Sequence, residues 1–290
     1  MTAPSRVLAS RAVTRFRPPR FGLGGASLGE LPATAAGEAL ATATVEAAYT
    51  AGIRFFDSSP AYGDGLGERR MGAVLAGHPR AGFMVSSKVD AGLAGDRLRE
   101  SVEGSLERLG VASVDLMFLQ DPGGRAIGDA YGVLDELRER GVVGGIGVAG
   151  REWEELDRLV RDFRVDAVLL AGQYSLLDRA GAPLLDRCQA RGVAAIVSGV
   201  LTPEVLLTDQ SKQTTEPKTI LARRISAVCE RYGVSLPQAA LAFPGRHSAV
   251  ASVLIGAASP AEIRADAALV RQPVPERFWR DPELARLLDG

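Results

Sequence analysis

Short apolar stretches alternate with amphipathic stretches along the chain, and this alternation restricts the possible fold more than any other feature. Eight stretches are rich in β-branched or large apolar residues and have the length of a buried strand: residues 20–25, 53–57, 83–88, 114–120, 143–148, 165–170, 193–197 and 250–255. They do not alternate polar and apolar residues, which is typical of strands covered on both faces in a parallel sheet. Between them, stretches such as 96–109 and 127–140 carry apolar residues at helical spacing and end at Gly110 and Gly141.

The length of the repeat favours one architecture. The strands start about every thirty residues, as a strand–helix unit requires. Eight such units in 290 residues fit a single-domain α/β fold, the (β/α)₈ TIM barrel, which is typically about 250 residues long. The competing doubly wound sheet uses fewer strands and usually has a phosphate-binding turn after its first strand. That fingerprint is incomplete here, because Ser27 follows Gly22 and Gly24 where a third glycine is required.

We therefore predict one barrel over residues 1–290, with residues 1–19 as an N-terminal extension and residues 271–290 as a C-terminal segment. The polar segment 207–218 interrupts the repeat before the eighth strand, and it is interpreted equally well as a surface loop or as a lid over a site. Trp279 lies in the C-terminal segment, where packing is the favoured role over lining a substrate pocket.

Composition and charge exclude several classes of protein. The formal net charge is −1, so the chain has no bulk attraction for nucleic acid or for an anionic membrane surface. No stretch is long and apolar enough to span a bilayer, and the N-terminus lacks a signal-peptide pattern, so we expect a cytoplasmic protein. Two cysteines and two histidines cannot build a disulfide framework or a His-rich metal site, and we expect no metal. The sequence leaves the oligomeric state open.

Polar residues end or closely follow several predicted strands: Asp57, Lys88, Gln120, Gln173 and Ser198. Because the carboxyl ends of the strands of a barrel share one rim, these side chains are expected to converge. Tyr62 lies five residues after Asp57, in the loop that follows the second strand. A buried Lys lowers the pKa of a neighbouring phenol, so the Tyr can exchange a proton with a carbonyl or hydroxyl oxygen while a cofactor carries the hydride. The alternative is an Asp57–Lys88 ion pair that only ties two strands together.

At these residues the sequence resembles the aldo-keto reductase family. The segment 52–72, which includes GIRFFD and AYGDGLGERRMG, is similar to the family signature, and SSK (residues 86–88) matches its lysine segment. Residues 229–243 and 252–263 resemble its last two barrel units. FGLGGASLGEL near the start, LLAGQYSLLD in the sixth unit and the tail 278–288 resemble the bacterial branch of L-fucose, D-threo-aldose and pyridoxal dehydrogenases. The resemblance implies a TIM barrel with a nicotinamide cofactor across its C-terminal rim and a small carbonyl or sugar-like substrate.

The resemblance also implies catalytic roles. Tyr62 would be the general acid/base, Lys88 would lower its pKa, and Asp57 would hold Lys88. The fourth catalytic position, usually a histidine, is Gln120, and neither histidine of the chain can be aligned with it. A glutamine amide can hydrogen-bond a carbonyl oxygen but cannot become a cation. We therefore expect substrate orientation to survive and one pH-dependent component of catalysis to disappear.

The nicotinamide site implied by the resemblance departs from the family pattern. The usual Ser-Asn pair after the fifth strand is Ala149 and Gly150, and the aromatic residue that commonly stacks on the nicotinamide is Ser198. Gln173 matches the expected partner of the carboxamide. Backbone N–H groups of residues 256–259 and of the next helix would bind the phosphates.

The residues that the resemblance places at the adenosine end of the cofactor favour NAD over NADP. Glu262 and Asp266 align with the Arg and Asn that accompany a phosphorylated cofactor, and two acids repel a 2′-phosphate but can bond ribose hydroxyls. Arg264 is the nearby residue that could reverse this preference. The cofactor-binding residues predicted in full are Gly25, Ala26, Asp57, Gln173, Ser198, Gly199, Val200, Leu201, Gly256, Ala257, Ser259, Glu262 and Asp266.

Three functions remain open at this point. The first is an NAD(P)-dependent oxidoreductase that acts on a carbonyl, alcohol or sugar lactol. The second is a specialised biosynthetic reductase of an unusual substrate. The third is a cofactor-binding protein with little catalysis, which the replacement of histidine by Gln120 motivates. Inactivity of Tyr62→Phe would support the first function, and the effect of Gln120→His would discriminate between the first and the third.

Overall fold

The computed structural model describes residues 16–120, 127–206 and 215–289, and it contains a closed barrel of eight strands. The strands are β1 (Phe21–Gly24), β2 (Phe55–Asp57), β3 (Met84–Asp90), β4 (Leu116–Gln120), β5 (Ile146–Gly150), β6 (Ala167–Ala171), β7 (Ala194–Ser198) and β8 (Val250–Gly256). Every strand pairs in parallel with the next, and β8 closes the barrel on β1 with Gly24 opposite Gly256. The predicted TIM barrel is confirmed, and the doubly wound sheet is excluded.

Helices follow the strands and cover the outside of the barrel. Within the described residues they are α1 (Ala26–Glu30), α2 (Ala35–Thr50), α3 (Leu66–Leu75), α4 (Gly95–Leu109), α5 (Gly128–Glu139), α6 (Trp153–Asp162), α7 (Ala182–Arg191), α8 (Pro203–Leu206), α9 (Pro217–Arg231), α10 (Leu236–Ala242), α11 (Pro260–Leu269), α12 (Glu276–Trp279) and α13 (Pro282–Asp289). The predicted C-terminal end of α4 is confirmed, since the helix ends at Leu109 and Gly110 is its C-cap. Gly110 has a φ of 66°, a left-handed conformation that glycine adopts without strain. No helix in the described part of the chain is both long and apolar enough to cross a membrane.

Side chains alternate across each strand, and one set of them fills the barrel. Phe55, Phe118, Leu169, Ile196 and Leu254 belong to this interior cluster, which is almost completely buried. Because side chains repeat every second residue, the last inward-facing residue of each strand lies at the carboxyl rim. These rim residues are Gly24, Asp57, Lys88, Gln120, Ala149, Ala171, Ser198 and Gly256. In β3 the strand continues past Lys88 to Asp90, which is exposed and paired in register with Gln120. The period of two therefore brings the predicted polar residues of β2, β3, β4 and β7 to one end of the barrel.

The first and last described segments of the chain both pack against the apolar core. Phe16, in the predicted N-terminal extension, lies edge-on to Phe55 with ring centres 6.4 Å apart, at the amino end of β2. Trp279 in α12 packs against Phe278 with ring centres 4.7 Å apart and against Phe243 at 6.3 Å. The favoured packing role of Trp279 is therefore confirmed. Residues 207–214, most of the segment interpreted as a loop or a lid, lie outside the described residues.

Candidate active site

A buried ion pair joins β2 and β3 at the rim. Lys88 Nζ lies 2.5 Å from Asp57 Oδ2, and each side chain is only 3% exposed. Lys88 Nζ also donates to the carbonyl oxygen of Ser58 at 2.8 Å, and Ser86 Oγ donates to Asp57 Oδ1 at 2.7 Å. Each carboxylate oxygen therefore has a donor, which a buried charge requires if burial is not to be prohibitively unfavourable.

This environment keeps Lys88 charged. Burial alone would lower the pKa of Lys88, but the negative charges of Asp57 and of an ionised Tyr62, together with hydrogen bonds to both side chains, raise the pKa above its ordinary value. Lys88 Nζ lies 4.8 Å from the centre of the Tyr62 ring. A permanent ammonium group beside the phenol stabilises the phenolate that forms when the proton leaves.

The loop that carries Tyr62 is fixed by backbone contacts. The Tyr62 N–H donates to the carbonyl oxygen of Ser59 at 3.1 Å, and the N–H of Gly67 donates to the carbonyl oxygen of Tyr62 at 3.0 Å. Helix α1 packs directly on this loop, since a Cβ at Gly29 would lie 2.6 Å from the Tyr62 carbonyl carbon. Sequence reasoning missed Gly29, and its one available signal is a glycine inside a short helix, where glycine is unfavourable.

Gln120 stands at the rim on the neighbouring strand. Lys88 of β3 is paired in register with Phe118 of β4, and Gln120 is the next inward-facing residue after Phe118. The Oε1 atom of Gln120 accepts a hydrogen bond from Ser59 Oγ at 3.2 Å. The four predicted catalytic residues therefore come from three adjacent strands and one loop. Ser59 was not predicted, because nothing in the sequence shows that the loop after β2 reaches the end of β4.

A cavity of about 440 Å³ opens beside this cluster at the carboxyl end of the barrel. Its lining includes these residues of the predicted site: Ala26, Asp57, Tyr62, Ser198, Gly199, Val200, Leu201, Gly256, Glu262 and Asp266. Sequence reasoning missed the other lining residues, namely Gly24, Ser27, Leu169, Ala171, Leu206, Leu254 and Ile255. Most of these are small or apolar, so their types alone carry no functional signal.

Gln173, predicted to bind the carboxamide, is directed at the start of α6 instead of lining the cavity. Its Oε1 atom accepts from the N–H of Trp153 at 2.8 Å, and its Nε2 atom donates to Glu152 at 3.4 Å. It thereby satisfies one of the N–H groups that a helix start leaves unpaired. Ala149 is 2% exposed and faces the barrel interior with an apolar side chain.

Three other predicted cofactor-binding residues are also absent from the lining of the cavity. The N–H of Gly25 donates to the carbonyl oxygen of Asp57 at 2.7 Å, which ties the end of β1 to the end of β2. Ala257 is 1% exposed. Ser259 is the N-cap of α11, and its Oγ atom accepts from the N–H of Glu262 at 3.3 Å. These residues shape the site through backbone and cap geometry.

Two carboxylates of α11 face the cavity. Glu262 Oε2 accepts from the N–H of Ala258 at 2.8 Å, which fixes the side chain over the start of the helix. Burial, and then the charge of Glu262, raise the pKa of Asp266 to about 6. Arg264 lines a different cavity, between α2 and α11, and no Lys or Arg is among the described residues that line the rim cavity. The predicted acidic pair is therefore not neutralised by Arg264.

Comparisons with known proteins identify the family of the chain. Residues 20–281 match the Aldo/keto reductase family. The chain is 31% identical to D-threo-aldose 1-dehydrogenase from a Pseudomonas species, covering 99% of this chain and 98% of that protein. It is also 31% identical to pyridoxal 4-dehydrogenase from Microbacterium luteolum, covering 89% and 91% of the two chains.

Solved structures show the same barrel. Glycerol dehydrogenase from Gluconobacter oxydans superposes with a TM-score of 0.79 at 20% identity, covering 94% of this chain and 93% of that chain. An aldo-keto reductase from Klebsiella pneumoniae, solved in complex with NADPH, superposes with a TM-score of 0.75 at 23% identity, covering 93% and 91%. The barrel, the sequence match and the identities together show that the chain belongs to the aldo/keto reductase family and is an NAD(P)-dependent oxidoreductase.

Proposed function

We propose that this chain is an NAD-preferring dehydrogenase or reductase of a small carbonyl compound or sugar lactol, with Tyr62 as its general acid/base. The observation that carries the proposal is the buried Asp57–Lys88 pair beside Tyr62, at the wall of a rim cavity that both Asp57 and Tyr62 line. The names of the relatives support the substrate class, because two of them are dehydrogenases of an aldose and of pyridoxal.

Each side chain of this site has a different role in the reaction. When bound, a nicotinamide supplies or accepts the hydride. Tyr62 donates its phenolic proton to the carbonyl oxygen during reduction and accepts a proton from the hydroxyl during oxidation. Lys88 stabilises the phenolate, and Asp57 keeps Lys88 charged and in place. The Gln120 amide can donate a hydrogen bond to the same oxygen but brings no positive charge.

Two features of the cavity support a dinucleotide without a 2′-phosphate as its ligand. The rim positions of β1 and β8 are Gly24 and Gly256, and a Cβ at Gly256 would approach Ser27 Oγ to 3.2 Å, so glycine keeps this end of the cavity open. The carboxylates of Glu262 and Asp266 can accept hydrogen bonds from ribose hydroxyls. A phosphate dianion near them would be repelled, by about 1 kcal/mol per pair of unit charges 4 Å apart in water and about 4 kcal/mol at an effective dielectric constant of 20.

A comparison of cofactor affinities tests this preference. We expect NADH to bind at least about tenfold more tightly than NADPH, which corresponds to about 1.4 kcal/mol. The double variant Glu262→Gln/Asp266→Asn should lose most of that difference. Glu276→Gln is the matched control, since Glu276 pairs with Arg246 and does not line the cavity. Tighter binding of NADPH to the unmodified protein would contradict the proposed preference.

The substrate class is tested by turnover. L-galactose, L-fucose and pyridoxal should be offered with NAD, and methylglyoxal with NADH, while the absorbance of reduced nicotinamide is followed. L-galactose and methylglyoxal are included because an L-galactose dehydrogenase and an NADH-specific methylglyoxal reductase are 29% and 26% identical to this chain. We expect turnover with at least one sugar or aldehyde. Cofactor binding without turnover of any of these compounds would contradict the proposed oxidoreductase activity on this substrate class.

A second candidate function is a cofactor-binding protein with little catalysis, which the amide at position 120 favours. The variant Gln120→His restores the group that the family usually carries there. A gain of about a hundredfold or more on a generic aldehyde, the scale of one general acid, would support this second function. No gain would support Gln120 as a residue adapted to a particular substrate.

A further inference from the structure

Ser59 connects the Tyr62 loop to Gln120. The residue is 1% exposed and lies between the end of β2 and Tyr62. Its Oγ atom accepts from the N–H of Ala61 at 3.2 Å and donates to Gln120 Oε1 at 3.2 Å. Its carbonyl oxygen accepts from the N–H of Tyr62 at 3.1 Å. One buried serine therefore contacts both the loop of the proton donor and the amide on the adjacent rim.

The Ser59 hydroxyl binds the oxygen end of the Gln120 amide. A hydroxyl has one proton and two lone pairs, whereas an amide oxygen only accepts. The Ser59 hydroxyl accepts from the N–H of Ala61 and donates its proton to Gln120 Oε1. The oxygen end of the amide is then held toward Ser59, and the Nε2 end, with its two N–H groups, is directed away from Ser59.

The direction of the amide matters for a carbonyl substrate. An N–H group stabilises the negative charge that develops on a carbonyl oxygen, but an amide oxygen in the same place would repel it. The two ends of a glutamine amide have similar shapes, so the same side chain can present either its oxygen or its N–H groups to a neighbour. A hydroxyl that donates to the oxygen end favours the productive orientation, and it orders the side chain before the substrate binds.

We propose that Ser59 is a positioning residue that orients the Gln120 amide so that its N–H end faces the reacting oxygen beside Tyr62. This inference rests on the proposed function, because it assigns Gln120 a contact with the substrate oxygen. It assigns Ser59 no contact with substrate or cofactor, because the Ser59 hydroxyl is engaged by Ala61 and by Gln120.

A double-mutant cycle tests the inference. The unmodified protein, Ser59→Ala, Gln120→Leu and the double variant are compared by kcat and KM, on the compound that the unmodified protein turns over fastest in the panel above. One hydrogen bond contributes about 0.5–1.5 kcal/mol, so Ser59→Ala should lower kcat about two- to tenfold. In the Gln120→Leu background the same substitution should change kcat by less than about twofold. NADH affinity should change by less than about twofold throughout.

Two further variants keep the test decisive. Ser252→Ala removes a buried hydroxyl from β8 that has no hydrogen-bond partner among the described residues, and it should leave kcat unchanged. Gln120→Glu covers the case in which Ser59→Ala does not fold. At about pH 8 its carboxylate is ionised, so it presents oxygen at both ends and should lower kcat at least as much as Gln120→Leu.

The outcomes separate this inference from the proposed function. Equal losses of kcat for Ser59→Ala in both backgrounds would mean that Ser59 only supports the Tyr62 loop, and this would overturn the positioning role. Full activity of Gln120→Glu would overturn it as well. Full activity of Tyr62→Phe would instead overturn the proposed function. Inactive Tyr62→Phe together with a non-additive cycle supports both.

Discussion

Replacing Asp57 by Asn should destabilise the protein and also reverse how its stability depends on pH. The substitution keeps the shape of the side chain but leaves the Lys88 ammonium, which is 3% exposed, without a counter-charge. Removing one partner of a buried ion pair typically costs about 3–5 kcal/mol, because the remaining charge stays desolvated. That is a large part of the about 5–15 kcal/mol by which a domain is usually stable.

The pH dependence follows from the pKa of Lys88. In the native protein this pKa is raised, so its contribution to stability is complete below the unfolded value of about 10.4 and is lost as the pH rises through the folded pKa. In Asp57→Asn the effect of burial, which lowers the pKa, is no longer opposed by the carboxylate. The folded pKa then falls below the unfolded one, so the cost is present at neutral pH and decreases as the pH rises.

Urea unfolding at about pH 7 and about pH 9.5 measures both effects. We expect Asp57→Asn to lose about 3–5 kcal/mol at the lower pH and clearly less at the higher pH. Glu276→Gln is the matched control, because it breaks an exposed ion pair. The side chain of Glu276 is 51% exposed, and that of its partner Arg246 is 44% exposed. That loss should stay below about 1 kcal/mol. A loss below about 1 kcal/mol for Asp57→Asn, with an unchanged pH dependence, would refute this reasoning.

Two other substitutions test the acidic pair and the packing of the tyrosine loop. Because burial and Glu262 raise the pKa of Asp266 from 3.8 to about 6, stability should fall as the pH rises from about 4 to about 6, and Asp266→Asn should remove that fall. Thermal unfolding should show that Asp266→Asn is about 1 kcal/mol more stable than the unmodified protein at pH 8, a figure that allows for solvent screening. At pH 4 the variant should be no more stable than the unmodified protein. Gly29→Ala should lower kcat at least about tenfold, since its Cβ displaces the backbone of Tyr62. Gly128→Ala, with nothing within 4 Å of the added Cβ, is its control and should leave kcat unchanged.

The fold and the polar rim could be predicted from the sequence because both follow from local periodicity. Eight buried strands at regular spacing specify a parallel barrel, and the period of two then brings the last inward-facing residues to one end. Asp57, Lys88 and Gln120 were placed in this way. The lysine of β3 is buried against the aspartate of β2 because these strands are neighbours in the barrel, which the order of the chain already indicates.

Contacts that depend on loop shape could not be predicted. Ser59 and Gln120 are separated by 61 positions in the chain, and their hydrogen bond depends on where the loop after β2 turns. The direction of Gln173 is set by the start of α6, which its side chain caps. Gly29 matters only because α1 packs on the Tyr62 backbone. None of these contacts leaves a periodic signal, since each is decided by tertiary packing.

The central claim is that the Tyr62 phenol exchanges the proton during turnover. Single-turnover kinetics with NADH and methylglyoxal, or with whichever panel compound is used fastest, test this in Tyr62→Phe after NADH affinity has been measured separately. We predict that the variant binds NADH within about twofold of the unmodified protein and loses about 10²- to 10⁴-fold in rate, the usual contribution of a general acid. A rate within about tenfold of the unmodified protein would contradict the role of Tyr62.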